Sequence, residues 1–447
     1  MKRLFYIILD LLIVYGSILL SYFILSQLEM LASFEDNFEA FEITMPFIGI
    51  FYLILMYVFG LYNISRKTIP DLIYTVFLIS IILTVGIMGI GFLVRGAAWA
   101  FPRSVIFLSA PFYFMFLSFW RILVVFIDRE IHGVKKITIF GDRDSKLFEA
   151  IVNKHHNQYK IENRCTDCDA STDFETIIQP VDEIFMSADV PQKIRRKILS
   201  LSIRHKKEVF FVPEYFDLSI MGATFDKSDD IPTYHINYIE LSPEEEFLKR
   251  VVDIVLSSVA LIISFPFALI FALLVKLDGG PIIYSQERLT KGSKIFKILK
   301  FRTMVPDAEK LSGPVLAGED DPRITKIGRL MRLTRMDEIP QLINVFKGEM
   351  SFVGPRPERP FFVEKFEREI PEYRYRLVVK AGLTGLAQVE GKYNTSVENK
   401  LRYDLIYVNN YSLWRDFLII LQTIKILFMK SSTEGINDSK SPKVPHQ

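Results

Sequence analysis

Cysteine is nearly absent: Cys165 and Cys168 are the only two in 447 residues. Two cysteines cannot build a disulfide scaffold. Their C-x-x-C spacing suits zinc only with further ligands. Only His155 and His156 lie near, so the pair reads as an incidental surface loop. Excess charge is absent too. Lys and Arg total 54 against 52 acids, a net of +2, so bulk electrostatics predicts no nucleic-acid partner. The G-x-G-x-x-G pattern of a dinucleotide site is missing. Charged side chains fill the one turn that invites it, Gly141-Asp142-Arg143-Asp144, where a pyrophosphate needs close backbone approach. That region reads as structural or regulatory.

Apolar sequence, by contrast, is abundant. Hydrophobic residues make up 50% of the chain and mean hydropathy is +0.24, unusual for a soluble protein. Four runs, Leu4 to Leu28, Met45 to Tyr62, Leu72 to Val94 and Ser104 to Ile127, each approach the roughly 20 residues of a spanning helix. The first run continues past a signal-peptide core with no small-residue cleavage site, so it is expected to be retained. Asp10 within it reads as a polar residue at the cytoplasmic end of the span. Lys2, Arg3, Arg66, Lys67, Arg129, Lys135 and Lys136 mark one face. The loop after the first run carries Glu29, Glu35, Asp36, Glu39 and Glu42 and no base. The positive-inside rule therefore puts both ends of the four spans in the cytoplasm, with Arg95 and Arg103 weighing weakly against.

From about Val134 the pattern changes. Lys136 to Phe140, Val181 to Met186 and Glu208 to Val212 read as strands, and Ile194 to Ile203 as a helix, predicting a small parallel α/β sheet. A second long apolar run, Val251 to Leu277, follows. Basic residues flank both its ends: Lys249 and Arg250 before, Lys276, Arg288 and Lys291 at or after its end. Pro266 near its middle bends a helix, and Ser264 can help satisfy the freed backbone groups. A kinked helix entering and leaving by one face fits better than a fifth span.

Beyond it, apolar and basic residues alternate in Phe296-Lys297-Ile298-Leu299-Lys300-Phe301-Arg302-Thr303-Met304, as in a half-buried strand. Lys300 and Arg302 there are candidates for a phosphate clamp, or for contacts to anionic lipid headgroups. Asp320 to Thr325 leads into a helical stretch ending in Arg332-Leu333-Thr334-Arg335-Met336-Asp337-Glu338-Ile339-Pro340-Gln341. Two adjacent carboxylates among arginines can attack phosphorus or hold a divalent metal, while guanidinium groups bind phosphate oxygens. Arg332 is a little over one helical turn from Asp337, and Pro340 ends or kinks the helix beside the carboxylates. Gly354-Pro355-Arg356-Pro357-Glu358 is a rigid turn that presents Arg356 with little entropy left to lose. Lys380-Ala381-Gly382-Leu383-Thr384-Gly385-Leu386 could cradle phosphate. Tyr407 to Phe428 contains Asp416 at the start of an apolar stretch too short to span, and Ser431 to Gln447 reads as a disordered tail.

These motifs occur in the order that marks one family. From about Phe247 to Met429 the chain resembles the bacterial polyprenyl-phosphate phosphoglycosyl transferases of the monotopic superfamily. The resemblance rests on Lys249-Arg250-Val251-Val252-Asp253, Lys300 to Met304, Asp337 to Gln341, Gly354 to Pro357, Gly382 to Gly385 and Tyr407 to Asp416. With four leading spans and a Rossmann-like middle, the whole resembles the large members that initiate capsule, exopolysaccharide or O-antigen (lipopolysaccharide) synthesis. The resemblance implies Asp337 as nucleophile with Glu338 as partner, Mg²⁺ held at Asp337, and Lys300, Arg302, Arg332, Arg356 and Asp416 lining the substrate site. It also implies transfer of a sugar 1-phosphate from a UDP-sugar to undecaprenyl phosphate through a phosphosugar-aspartate, with UMP released. The family's membrane break has Ser directly before Pro, whereas Phe265 separates Ser264 from Pro266 here.

The expected architecture is a membrane protein of the α+β class. It has a transmembrane four-helix bundle at 1–132, a Rossmann-like α/β domain at 133–240, and a catalytic domain at 241–430 with a re-entrant helix at 248–277. A disordered tail at 431–447 ends it. Localisation follows as a multi-pass protein of the bacterial inner membrane with its catalytic domain on the cytoplasmic face, in contact with membrane lipid. The reading admits a homodimer and leaves the donor sugar open among glucose, galactose and acetamido sugars. The competing reading is a non-enzymatic membrane scaffold, or a nucleotide-sensing regulator of envelope polysaccharide assembly. A transporter is disfavoured by the long charge-rich C-terminal half.

Overall fold

A computed structural model of the chain describes residues 2–30, 34–61, 68–93, 102–154, 158–166, 168–169, 171–236, 241–305, 321–391 and 395–427. Arg66, Lys67, Arg95, His155, His156, Asp320 and the tail from Ser431 to Gln447 lie outside these residues. Two compact units result, Met1–Val212 and Pro213–Gln447.

The first unit opens with four long helices, α1 (Lys2–Gln27), α2 (Phe34–Val58), α3 (Ile69–Leu93) and α4 (Arg103–His132). α1 packs on α2 and α4, and α3 likewise packs on both. Each is long and apolar enough to cross a membrane. Large apolar side chains such as Leu12, Phe23, Phe107 and Phe119 point outward, while Val14, Ile18, Ile48 and Leu83 fill the interior. Asp10, expected as a polar residue at the end of its span, is fully buried and ion-paired with Arg121 of α4. Tyr52 OH donates to Asp10 Oδ2 at 3.1 Å, and Arg121 Nη1 donates to the Leu61 carbonyl at 3.2 Å. A buried charge needs a partner, and the partner here lies 111 residues away.

A four-stranded parallel sheet follows. Its elements are β1 (Lys135–Phe140), α5 (Ser145–Lys154), β2 (Tyr159–Cys165), α6 (Phe174–Ile178), β3 (Glu183–Met186), α7 (Gln192–Arg204) and β4 (Glu208–Phe211), in strand order β2-β1-β3-β4. The period-2 alternation divides the core. Phe140, Ile184 and Met186 meet α6 and α7 on one face, and Ile137, Ile139 and Phe185 meet α5 on the other. The turn after β1 is filled from within: the amides of Asp142 and Arg143 donate to Asp189 Oδ2 at 3.0 and 3.4 Å. Gly141 has φ +89°, which suits glycine. Cys165 and Cys168, expected as an incidental surface loop, are joined in a disulfide; their Cα atoms are 5.7 Å apart, within bridging reach.

The second unit comprises α8 (Tyr215–Ile220), the antiparallel hairpin β5 (Thr224–Ser228) and β6 (Ile231–His235), and the long α9 (Pro243–Leu277). A second hairpin, β7 (Ile283–Thr290) and β8 (Lys294–Phe301), precedes α10 (Lys326–Thr334) and α11 (Gln341–Lys347). β9 (Ser351–Val353), α12 (Pro360–Glu369), β10 (Gly382–Thr384), α13 (Leu386–Glu390), α14 (Val397–Asn409) and α15 (Leu413–Leu427) complete it. α8 does not join the α/β domain drawn to residue 240. Leu218 packs with Leu289, Val363 and Leu401, so the boundary falls near 212.

α9 starts at a capping box in which Ser242 and Glu245 bond each other's amides, with Pro243 in the first turn. It stays helical through Ser264 and Pro266, so the expected break does not interrupt it. Ser264 Oγ lies 3.5 Å from the Leu261 carbonyl rather than serving the carbonyl freed at Ile262. Both ends of α9 are packed. Near its start Lys249, Asp253 and Ser257 are buried against the α11 and β9 side. Near its end Val275, with Ala268, Phe271 and Ala272, packs on Phe301, Met331 and Ile339. Between them Ile262, Ile263 and Phe265 are bare.

Candidate functional site

The site is built on a sharp chain reversal. α10 begins at Thr325, whose hydroxyl caps the Gly328 amide at 2.9 Å. Gly328 lies directly on the Thr303 carbonyl, where a Cβ would clash. Thr325 N also donates to that carbonyl, at 3.0 Å. α10 is thereby docked on the chain leaving β8. It stops at Arg335, which takes the left-handed conformation (φ 55°), and Met336–Glu338 then form one 3-10 turn leading into α11. A non-glycine residue there is strained, and such strain gathers at functional turns. The turn carries Asp337 and Glu338.

Lys300, on β8, and Arg356, in the loop after β9, both reach Glu338. Lys300 Nζ and Arg356 Nη2 each lie 2.8 Å from Glu338 Oε1. Burial pushes the Glu338 carboxyl up, but Arg356 and Lys300 more than offset this and hold it well below the usual range. Asp337 is different. It has no hydrogen-bond or ion-pair partner among the described residues. Burial raises its pKa above 3.8, opposed by Lys300, Arg332 and Arg356 and reinforced by Glu338. One carboxylate is thus pinned by two cations. Its neighbour is uncommitted, desolvated and more basic.

Arg332 belongs to the same group: its charge acts on Asp337, and its Nε donates to Thr303 Oγ1 at 2.9 Å. Arg302 stands apart. It is buried, and its Nη2 bonds the Val275 carbonyl at the end of α9 at 3.2 Å, leaving Nε and Nη1 without a partner. Asp416 is not joined to the pair either. Its oxygens take Lys249 Nζ at 2.5 Å and Tyr407 OH at 2.8 Å, all three residues being buried. Lys249 lies on α9, as does Asp253, whose Oδ1 accepts from the Phe352 amide at 2.8 Å and Ser351 Oγ at 3.0 Å. These contacts tie α9 to β9 and so to the Arg356 loop. Ser264 and Pro266, the predicted break, lie in the bare stretch of α9 away from the pair.

Gly382 to Gly385 is no cradle. Gly382 and Thr384 pair in parallel with Ser351 and Val353, and Gly382 and Gly385 are buried against the Gly354 backbone. Glycine is needed there for strand-to-loop approach, which sequence spacing alone does not distinguish from anion binding. Among the described residues no group of three His, Cys, Asp or Glu side chains could hold a metal alone. Mg²⁺ keeps several waters and commonly takes one or two carboxylates plus substrate phosphates, which one free Asp337 carboxylate suits. The residues missed in the sequence are those behind the loop, Arg288, Arg376 and Asp404, described below. They sit in no recognisable motif, and only the fold brings them there.

The sequence model described as "Bacterial sugar transferase" matches residues 244–430. The chain is 40% identical over 205 residues to a "UDP-N-acetylgalactosamine-undecaprenyl-phosphate N-acetylgalactosaminephosphotransferase" of Aeromonas hydrophila, covering 45% of this chain and 48% of the relative. It is 35% identical over 246 residues to an "Undecaprenyl-phosphate galactose phosphotransferase" of Salmonella typhimurium, covering 52% and 51%. The chain thus spans about half the length of these two curated relatives. A "Putative undecaprenyl-phosphate N-acetylgalactosaminyl 1-phosphate transferase" of Bacillus subtilis is 53% identical over 131 residues, 29% of this chain and 73% of that relative. The matched stretch holds the whole Asp337–Glu338 site, and the chain belongs to the bacterial sugar transferase family.

Proposed function

We propose that this protein transfers a sugar 1-phosphate from a UDP-sugar to undecaprenyl phosphate, initiating capsule, exopolysaccharide or O-antigen synthesis. The observation that carries the reading is the inequality of the two carboxylates. Glu338 is committed to Lys300 and Arg356, so it organises cations. Asp337 is free, and its raised basicity makes it the better nucleophile.

In the first step an Asp337 carboxylate oxygen attacks the sugar-linked phosphorus. The bond from that phosphorus to the bridging oxygen breaks, and UMP leaves with the electron pair. In the second step a phosphate oxygen of undecaprenyl phosphate attacks the same phosphorus. The acyl phosphate bond breaks, restoring Asp337 and leaving a diphosphate-linked lipid. Lys300, Arg332 and Arg356 neutralise the phosphate oxygens in flight. Asp337 would hold Mg²⁺ jointly with substrate phosphates, and the ion would supply further charge neutralisation.

The membrane arrangement is part of the proposal: four N-terminal helices spanning as a bundle, α9 re-entrant, and the catalytic unit on the cytoplasmic face of the bacterial inner membrane. Support comes from α9, whose two ends pack on one unit while its apolar middle is bare. A straight 35-residue helix would carry its ends about 50 Å apart, on opposite faces of a bilayer. The test is transfer of sugar label from a panel of UDP-sugars into lipid by membranes carrying the protein, with UMP released. Full activity of Asp337→Asn would sink the assignment. A C-terminal tag found outside the cytoplasm would sink the re-entrant topology.

A further inference from the structure

The loop presenting Arg356 is held at four consecutive carbonyls. Pro355 O accepts from the Gly382 amide at 2.9 Å and Glu358 O from the Leu289 amide at 3.0 Å. Arg356 O accepts from Arg376 Nη2 at 2.8 Å, and Pro357 O from Arg288 Nη1 at 3.3 Å. Two prolines in Gly354-Pro355-Arg356-Pro357-Glu358 remove two amide donors, so the loop cannot order itself through them. Its place is set from outside.

Two of the four holders are guanidinium groups. Arg376 lies in the 3-10 stretch Pro371–Val378 and is 5% exposed. Its Nη2 also pairs with Asp404 Oδ2 at 2.8 Å, and its Nη1 donates to Tyr373 OH at 2.7 Å. Asp404, on α14, is 2% exposed. Such a buried ion pair is poor evidence of a device for stability, because desolvation offsets the attraction. What this one does is spend the second hydrogen of Arg376 Nη2 on the carbonyl of the site's own arginine. Arg288 is held similarly by Glu358 and by Gln286, the latter at 2.8 Å.

We propose that Arg376, anchored by Asp404, is a positioning residue: with Arg288 it fixes the backbone of Arg356, and through Arg356 the pinned Glu338. Neither Arg376 nor Asp404 bonds the carboxylate pair, and both are buried. The consequence for catalysis rests on the phosphoglycosyl transfer proposed above, whereas the consequence for loop order does not.

The experiment uses the full chain in membranes and in detergent, with Arg376→Lys, Arg356→Lys and the double variant. Lysine can meet Asp404 but lacks the fork that also reaches the carbonyl. Arg376→Lys should lower label transfer roughly tenfold to a hundredfold. In the Arg356→Lys background the same change should lower it no more than about twofold, because its effect passes through Arg356. Hydrogen exchange should speed up at the Leu289 and Gly382 amides, which donate to the loop's Glu358 and Pro355 carbonyls, in Arg376→Lys and not in Asp337→Asn. Losses that multiply in the double variant, or unchanged exchange at those amides, would overturn the proposal. Should Arg376→Lys fail to fold, Arg288→Lys, at a less buried site, carries the same expectations. If no UDP-sugar is turned over by the unmodified chain, the proposed function fails by itself and the exchange data alone decide the positioning role.

Discussion

Arg356 Nη2 lies 2.8 Å from Glu338 Oε1, so the guanidinium in the rigid loop is spent on the second carboxylate of the pair and not on the first. The two acids therefore stand in different surroundings, and substitution should separate their roles in the proposed transfer. Asp337→Asn should abolish transfer. Glu338→Gln keeps the shape but loses the charge that gathers Lys300 and Arg356, so transfer should fall about a hundredfold, with trapping of sugar phosphate on the protein still measurable.

Protonation gives an independent check. In the proposed mechanism Asp337 must be ionised to attack, and burial raises its pKa above 3.8. The acid limb of the rate profile should accordingly lie above the ordinary carboxylate value. Lys300 lowers the Asp337 pKa, so Lys300→Met should move that limb to still higher pH.

Glu338 predicts the opposite sign for stability. Its folded pKa is depressed below 4.5, so its contribution is present above pH 4.5 and is lost as pH falls through the folded value. The gap in thermal stability between the unmodified chain and Glu338→Gln should shrink on acidification below that pH. A gap that widens in acid would contradict the pairing with Lys300 and Arg356.

The buried pair in the helical unit makes a prediction remote from the chemistry. Removing one partner, as in Asp10→Leu or Arg121→Met, leaves a lone buried charge and should cost about 3–5 kcal/mol. The double variant should recover part of the loss. Thermal unfolding in detergent reads both.

Gly328→Ala tests the docking of α10. The added methyl would meet the Thr303 carbonyl and carbon, and backbone must shift. A loss of about 1–3 kcal/mol is expected. Transfer should fall as well, since α10 ends in the turn that carries the pair.

Much of this protein could be read from local pattern. Apolar run length located the long helices α1 to α4 and α9, each long and apolar enough to cross a membrane. Alternation located β8, with Phe296 and Ile298 buried and Lys297 exposed. Asp337-Glu338 stood out because two acids among arginines is itself a chemical statement. The β2 strand was missed because Lys160, Glu162 and Arg164 give it a charged face and no apolar run.

Partnership was a different matter. Arg121 sat unnoticed inside an apolar run. A lone base in one run and a lone acid in another were the available signal, but their 111-residue separation is closed only by packing of α1 on α4. Gly382 to Gly385 looked like an anion loop until its glycines proved to be where two backbones touch. Asp416, grouped with the site by motif, is instead bonded to Lys249 and Tyr407. Composition and periodicity are properties of neighbours along the chain, so the sequence alone determined the long apolar helices, the apolar strands of the parallel sheet and the candidacy of the Asp337-Glu338 pair. Which carboxylate is pinned and which is free depends on Lys300, Arg356, Arg376 and Asp404 converging from separate segments. Only the tertiary structure decided that, because a charge acts through distance and burial, and both are set by the fold.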